Sequence, residues 1–216
     1  MGIRGLNNFI KKICPECISE KKIENYNGKI FAIDSSILLY KYRYVANLCE
    51  TSHINGFINR VLYYLNNKII PLFIFDGLPP EQKKITLEKR QVQKKKIYEK
   101  IEMLRELLDS SNDDEKLNIN REITRLSSQL IHVTKKHISD IKELLDILGI
   151  PYITAPDEAE KLCVYLYKQN IVDYVVSDDT DVFAFGCNNV LKTNIKNNIT
   201  EINIDILKQK IDYNDT

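Results

Sequence analysis

Aspartates stand at the ends of three separate apolar runs in this sequence, which read KIFAI, IIPLFIF and DYVV. They are Asp34, Asp76, Asp178, Asp179 and Asp181. Short apolar runs of this kind are typical of strands that are buried on both faces of a sheet. If these strands are parallel neighbours, their carboxyl ends meet at one edge, so the sequence predicts several carboxylates in a single cleft.

A helix predicted at 157–169 adds further acids at its start. They are Asp157, Glu158 and Glu160. Each acid has an ordinary alternative explanation, because acids favour the first turn of a helix and Asp is common in turns and N-caps. A shared site is favoured only by the coincidence of three strand ends with one helix start.

Carboxylates crowded into one cleft raise one another's pKa or destabilise the fold. Hard divalent cations remove this cost, and Mg²⁺ or Mn²⁺ prefers carboxylate and water oxygens. Two such ions about 3.5–4 Å apart can hold the attacking and leaving oxygens of a phosphoryl transfer. We therefore predict that the aspartates are metal ligands.

A run of basic residues occupies positions 81–100, with eight Lys or Arg and three Glu. The basic residues are Lys83, Lys84, Lys89, Arg90, Lys94, Lys95, Lys96 and Lys100. A charge run usually indicates a solvated surface helix. Clustered Lys and Arg also bind nucleic acid through its phosphates, and an acidic cleft beside a basic helix favours this second interpretation.

Strands alternate with helices along the chain. The predicted strands are 29–34, 69–76, 149–156 and 172–179, and the predicted helices are 35–48, 57–68 and 157–169. Residues 81–148 are predicted to be helical with a break at 110–116, and NNVLKTNI and NITEINI are predicted to be later, antiparallel strands. This alternation predicts a single α/β domain over 1–216, with a mostly parallel central sheet and helices on both faces.

The composition, 44% apolar and 28% charged over 216 residues, is typical of a globular protein with a substantial core. No run approaches the roughly 18 consecutive apolar residues of a membrane span, and no signal peptide opens the sequence, so we expect an intracellular protein without a membrane partner. Five cysteines suggest reduced thiols. Cys14 and Cys17 of the CPEC segment are included, because no second pair completes a zinc site.

The sequence resembles a flap endonuclease of the structure-specific 5′-nuclease superfamily over most of residues 1–190. The matching segments, in order, are MGIRGL, FAIDSS, FIFDGLPPEQKK, ITAPDEAEKLCVYL and VSDDTDVFAFG. The resemblance implies a PIN-like nuclease core with a helical arch inserted at 81–134, through or under which a 5′ single strand of DNA passes. It also implies that Gly2 lies near the site once Met1 is removed.

The resemblance assigns roles to individual residues. The implied ligands of two Mg²⁺ ions, which Mn²⁺ could replace, are Asp34, Asp76, Glu158, Glu160, Asp179 and Asp181, with Asp178 outside the ligand set. Lys83 and Arg90 are implied to reach the scissile phosphate. DNA contacts are expected from Tyr40, Arg60, Lys84, Lys89, Lys94, Lys95 and Lys96. A half-buried helix tyrosine remains an equal alternative for Tyr40.

The implied function is divalent-metal-dependent hydrolysis of phosphodiester bonds in DNA with a 5′ flap or 5′ end, in replication or repair. The expected location is nuclear in a eukaryote, or the host cell for a virus. Alternatives are a 5′→3′ exonuclease, which the segment AFGCNNV resembles, a junction- or bubble-cutting relative, a nuclease acting on RNA, and a non-catalytic DNA-binding module.

The sequence departs from the family pattern near its end. The family continues with an Asp in an LGSDY-like segment and a glycine-rich helix-turn-helix, and neither occurs within these 216 residues. A tail that binds a sliding clamp is also not seen. The resemblance therefore implies either a chain shortened at its C-terminal side or a reduced relative that binds DNA without cutting it efficiently.

Overall fold

The structure is a computed structural model. It describes residues 2–3, 5–45, 51–78, 84–110, 112–130, 133–193 and 199–210, without the side chains of 44–45, 84–90, 109–110 and 113–114.

A seven-stranded sheet forms the centre of the described part of the chain. Its strands are β1 (Ile18–Lys21), β2 (Ile30–Asp34), β3 (Ile70–Phe75), β4 (Tyr152–Thr154), β5 (Tyr174–Val176), β6 (Asn189–Thr193) and β7 (Ile199–Asn203). The spatial order is β1-β7-β6-β5-β2-β3-β4. All neighbours from β6 to β4 run parallel, and β7 is antiparallel to both β6 and β1. The predicted, mostly parallel sheet is confirmed. Strand β6, which lies within NNVLKTNI, is antiparallel to β7 as predicted but parallel to β5.

Helices connect the strands. They are α1 (Leu6–Ile13), α2 (Ser35–Val45), α3 (Ser52–Asn66), α4 (Lys84–Ser110), α5 (Asp113–Gln129), α6 (Lys135–Leu148), α7 (Ala159–Lys168), α8 (Asp181–Ala184) and α9 (Ile204–Lys210). The helix predicted from 57 therefore begins five residues earlier, at Ser52. Among the residues that the structure describes, no helix combines the length and the apolar character needed to cross a membrane.

Two apolar layers cover the two faces of the sheet. Phe31 and Ile33 of β2 face one layer, which also contains buried residues of α2, α3 and α6. Ala32, between them, faces the other layer, which contains residues of α1, α7, α8 and α9. Successive side chains of a strand point to opposite faces, so a strand with apolar residues at every position requires helices on both sides. This arrangement confirms the predicted fold class.

Helices α4 and α5 pack against each other. The break between them lies within the predicted stretch 110–116, where Asn112 caps α5 by accepting a hydrogen bond from the Glu115 backbone N–H. Lys100 on α4 lies 3.1 Å from Glu122 on α5. The role of residues 81–134 as an arch over a substrate remains a prediction.

The expectation of free thiols at Cys14 and Cys17 is wrong in this structure, which joins the two residues by a disulfide. A short 3₁₀ turn at Pro15–Cys17 brings their Cα atoms to 5.5 Å, within the range that a disulfide spans. Spacing alone did not predict this pairing. Cys163 and Cys187 are free, as expected, and both are buried. Cys49 lies outside the described residues.

Candidate metal centre

The acidic strand ends lie side by side, as predicted. In the parallel register Asp34 of β2 is opposite Ile74 of β3, and Ile33 is opposite Val176 of β5. Asp34 therefore closes its strand next to the points where Asp76 and the SDDTD segment leave theirs. Parallel pairing of β2 with both neighbours is what brings residues distant in the sequence to one edge.

A chain of hydrogen bonds links the acids behind β2 and β5. Asp34 Oδ2 accepts a hydrogen bond from Ser177 Oγ at 3.3 Å. Ser177 Oγ in turn accepts from the Asp179 backbone N–H at 3.1 Å, and Asp179 Oδ1 accepts from the Asp181 N–H at the same distance. These contacts fix the orientation of Asp34 relative to the SDDTD turn.

Asp76 lies against the start of α7. Its Oδ1 accepts a hydrogen bond from the Ala159 N–H at 2.8 Å. The Gly77 N–H donates to the Asp157 carbonyl oxygen at 2.7 Å. A Cβ atom at Gly77 would overlap with the carbonyl oxygen of Ala155, so only glycine permits this approach. The close approach brings Asp76 next to the segment that carries Glu158 and Glu160.

The N-terminus also reaches the cleft. Gly2 has a φ of +95°, which favours glycine, and a Cβ there would overlap with Asp179 Oδ1 and with Thr180. The predicted proximity of Gly2 to the site is therefore present in the structure.

Burial and like charge act together on Asp34, which is 2% exposed. Burial raises the pKa of its carboxyl well above the usual value, and the charges of Glu160 and Asp76 raise it further. Hydrogen bonds from the backbone N–H groups of Ile37 and Ser36 act in the opposite direction. Three carboxylates from β2, from the end of β3 and from α7 thus share one electrostatic environment.

The carboxylates do not converge on one point. Within the described part of the chain, no three Asp, Glu, His or Cys side chains enclose a position for a metal ion. Repulsion between like charges opposes a tighter arrangement. The donor set nevertheless fits a hard divalent cation, because it consists of carboxylate oxygens. The ligand roles of Asp34, Asp76, Glu158, Glu160, Asp179 and Asp181 remain predictions.

Lysines that the sequence analysis did not single out lie beside the acids. Lys41 forms an ion pair with Asp178. Lys161 Nζ lies 3.0 Å from Asp157 and 3.3 Å from Glu158, and its hydrogen bond lowers the pKa of Asp157. The spacing of Lys161, three and four residues after these acids on a helix, is a sequence signal for such pairs. No comparable signal exists for Lys41, since its partner is 137 positions away.

The predicted DNA contacts on α2 and α3 have different surroundings. Tyr40 is 49% exposed, so its ring can be reached from outside. Arg60 is only 4% exposed; its Nε donates to the Tyr42 hydroxyl at 3.1 Å, and its guanidinium lies over the rings of Tyr63 and Tyr64. The Arg60 side chain thus packs among the tyrosines, and its contact with DNA remains a prediction.

The basic run is described only in part. Lys95 and Lys96 are exposed on α4, and Lys94 is half-buried. Lys83 lies outside the described residues, and the side chains of Lys84, Lys89 and Arg90 are outside the described part of α4. Their contacts with DNA remain predictions.

Comparisons with known proteins agree with this geometry. The XPG N-terminal domain family matches residues 1–97, and the XPG I-region family matches residues 149–215. Flap endonuclease 1 of Cryptosporidium parvum is 39% identical over 198 residues, which is 86% of this chain and 38% of that protein. The chain thus spans less than half of this relative.

Solved structures of the same class are also similar to this chain. The catalytic core of Rad2 in complex with DNA substrate has a TM-score of 0.67 and 30% identity, covering 93% of this chain and 55% of that one. Flap endonuclease-1 from Methanococcus jannaschii has a TM-score of 0.61 and 26% identity, covering 89% and 62%.

The sheet, its acidic edge and these similarities define the chain as a member of the XPG class of proteins with a PIN-like core. Within that class, the chain belongs to the flap endonuclease family. The family in general depends on divalent metal ions.

The raised pKa of Asp34 predicts a pH dependence of stability. The folded protein retains the Asp34 proton to higher pH than the unfolded chain does, so metal-free stability falls as pH rises above the ordinary Asp range. Asp34→Asn should therefore raise the melting temperature at pH 7, on the order of 2–4 °C per kcal/mol relieved. The gain should shrink towards pH 3.5, where the carboxyl is mostly protonated in both states.

Asp173→Asn, at the opposite edge of the sheet, is the matched control. Burial raises the pKa of Asp173, but hydrogen bonds from the Ile30 N–H and Lys29 lower it by more. This variant should lose stability at pH 7. Thermal unfolding of both variants in chelator between pH 3.5 and 8 makes the comparison. A lower melting temperature for Asp34→Asn at pH 7 would contradict the electrostatic interpretation.

Proposed function

We propose that this chain is the nuclease core of a divalent-metal-dependent, structure-specific 5′ nuclease that hydrolyses phosphodiester bonds of DNA at 5′ flaps or 5′ ends. The observation that carries this proposal is the electrostatic proximity of Asp34, Asp76 and Glu160 at one edge of the sheet. Acids brought together from separate elements are costly unless a cation binds between them. Membership of the flap endonuclease family supports the same function.

The carboxylates would hold two Mg²⁺ ions, with Mn²⁺ as a substitute. The proposed ligands are Asp34, Asp76, Glu158, Glu160, Asp179 and Asp181. When bound, such ions polarise the phosphate and lower the pKa of a coordinated water. The chain's own contribution is to fix the ligands in place, through the Ser177 hydrogen bonds behind β5 and the Ala159 N–H at the start of α7.

The remaining residues would hold the DNA. Tyr40 is exposed on the helix that follows Asp34 and could stack on a base beside the cleft. Lys83 and Arg90 would offset negative charge that develops on the scissile phosphate. The basic residues at 84, 89 and 94–96 would bind the backbone of the strand that passes the arch at 81–134.

DNA as the partner is supported by the solved Rad2 core, which is a complex with DNA substrate. We further propose a role in replication or repair, and a nuclear location if the cell is eukaryotic. The chain spans only 38% of the Cryptosporidium parvum relative, so a preference for flap DNA is proposed for this chain by similarity to that protein. A non-catalytic DNA-binding module would bind flap DNA without cutting it.

The metal assignment predicts the behaviour of Asp181→Ala. Loss of a ligand should slow Mg²⁺-dependent cleavage of a 5′-flap duplex by about 10²–10³-fold, while the dissociation constant for the same DNA changes little. Single-turnover cleavage and fluorescence anisotropy in Ca²⁺ measure the two quantities.

Asp205→Ala is the matched control for Asp181→Ala, because Asp205 is also an acid in the first turn of a short helix, here α9. It should cleave at the wild-type rate. Undiminished cleavage by Asp181→Ala would remove the metal assignment. A wild-type protein that binds flap DNA and never cuts it would favour the binding-module alternative.

The basic residues nearest the proposed substrate phosphate give a second prediction. Replacing both Lys83 and Arg90 with Ala should reduce the cleavage rate by at least about tenfold more than it weakens DNA binding, because their charge acts on the transition state. The control replaces Lys95 and Lys96, which are exposed on α4. A loss confined to affinity would instead make the run an ordinary phosphate-binding surface.

A further inference from the structure

The third acid of the SDDTD segment has a partner of its own. Asp178 lies between Ser177 and Asp179 in the sequence, and its carboxylate forms an ion pair with Lys41 on α2. Lys41 Nζ also donates to the carbonyl oxygen of Thr193, the last residue of β6, at 3.0 Å. The two side chains are about one-third exposed, at 29% for Lys41 and 33% for Asp178.

This ion pair is built on the same helix that orients Asp34. The Ile37 N–H in the first turn of α2 donates to Asp34 Oδ1 at 3.4 Å, and Lys41 stands one turn further along. Asp34, Lys41 and Asp178 line one small cavity of about 10 Å³. A space of this size holds about one water molecule. The Asp178 carboxylate is therefore within the surroundings of Asp34 and not on a distant surface.

The neighbours of Asp178 in the chain both belong to the hydrogen-bond network that holds Asp34. Ser177 Oγ donates to Asp34, and the Asp179 N–H donates to Ser177 Oγ. An uncompensated carboxylate between them would be a further oxygen donor beside the predicted ligands. Hard cations accept carboxylates without strong discrimination, so such a group would compete for the ion.

Among the residues that the structure describes, Lys41 is the cation whose ammonium contacts Asp178 directly. Lys192 of β6 lies in the same neighbourhood, where its ammonium interacts electrostatically with both Asp178 and Lys41. Its Nζ, however, donates to Asn7 Oδ1 of α1 at 3.0 Å. Lys192 is thus held by α1, whereas Lys41 is held by Asp178 and the end of β6.

We propose that Lys41 withholds the Asp178 carboxylate from the divalent cation, so that the segment after β5 offers only Asp179 and Asp181. This inference rests on the proposed function. In this role Lys41 is a positioning residue, which acts on the metal site through Asp178 and does not touch the ion. The ion pair also explains how three aspartates can follow one strand while only two of them serve the site.

The test compares Lys41→Met, Asp178→Asn and the double variant by calorimetric titration with Mn²⁺. Methionine retains most of the apolar length of lysine without its charge. Lys41→Met should tighten Mn²⁺ binding by about fivefold or add a further site, because it frees one carboxylate close to the others. Cleavage in Mg²⁺ should fall, since the extra ligand draws the ion from its proper position.

The double variant carries the decisive result. Removal of the Asp178 charge should restore the Mn²⁺ stoichiometry and affinity of the wild type, and Asp178→Asn alone should resemble the wild type. Lys29→Met is the matched control, because Lys29 pairs with Asp173 at 2.9 Å across the opposite edge of the same strands. It should leave Mn²⁺ binding unchanged.

Two results would overturn the inference. One is Mn²⁺ binding by Lys41→Met that equals the wild type. The other is altered binding that persists in the double variant, which would mean that Lys41 acts through Thr193 and not through Asp178. Both leave the proposed function intact, because the wild type still binds Mn²⁺ and cleaves. A wild type that neither binds Mn²⁺ nor cleaves would overturn the proposed function itself.

Discussion

Repulsion between carboxylates at the carboxyl edge of a parallel sheet is the constraint on which this structure depends. Asp34 is almost fully buried, and its pKa is raised by burial and by the charges of Glu160 and Asp76. The protein offsets part of this cost with backbone N–H donors to Asp34 and Asp76. Lysines offset another part at the rim of the cleft, where Lys161 pairs with Asp157. The carboxylate oxygens gathered at this edge suit a hard cation.

The topology of the sheet produces this crowding. Parallel pairing of β2 with β3 and with β5 aligns strand ends that are far apart in the sequence, with Asp34 opposite Ile74 and Ile33 opposite Val176. Strand β4 pairs in parallel with β3, so α7, which follows β4, begins at the same edge. Gly77 allows a backbone contact there that a side chain would block. The fold therefore determines the site, because the acids become neighbours only if the strands pair in this order.

Much of this arrangement could be predicted from local patterns. Apolar runs that end in Asp identified β2, β3 and β5, and the polar stretch 110–116 identified the junction of α4 and α5. Features that depend on distant contacts could not be predicted in this way. The hydrogen bond from Arg60 to Tyr42 and the Lys41 contact with Asp178 each join residues of separate elements, and the local sequence around these residues gives no sign of the contacts. The Cys14–Cys17 disulfide depends on a short turn whose geometry the CPEC spacing does not fix.

The central claim is that acids from β2, β3, β5 and α7 together bind divalent cations. A crystal structure of the wild-type chain grown with Mn²⁺, with anomalous diffraction data, tests it most directly. We expect two anomalous peaks about 3.5–4 Å apart in the cleft. At least one should lie within about 2.3 Å of carboxylate oxygens from two different strand ends. A crystal grown with Mn²⁺ that shows no anomalous density between Asp34, Asp76, Glu160 and Asp179 would contradict the claim.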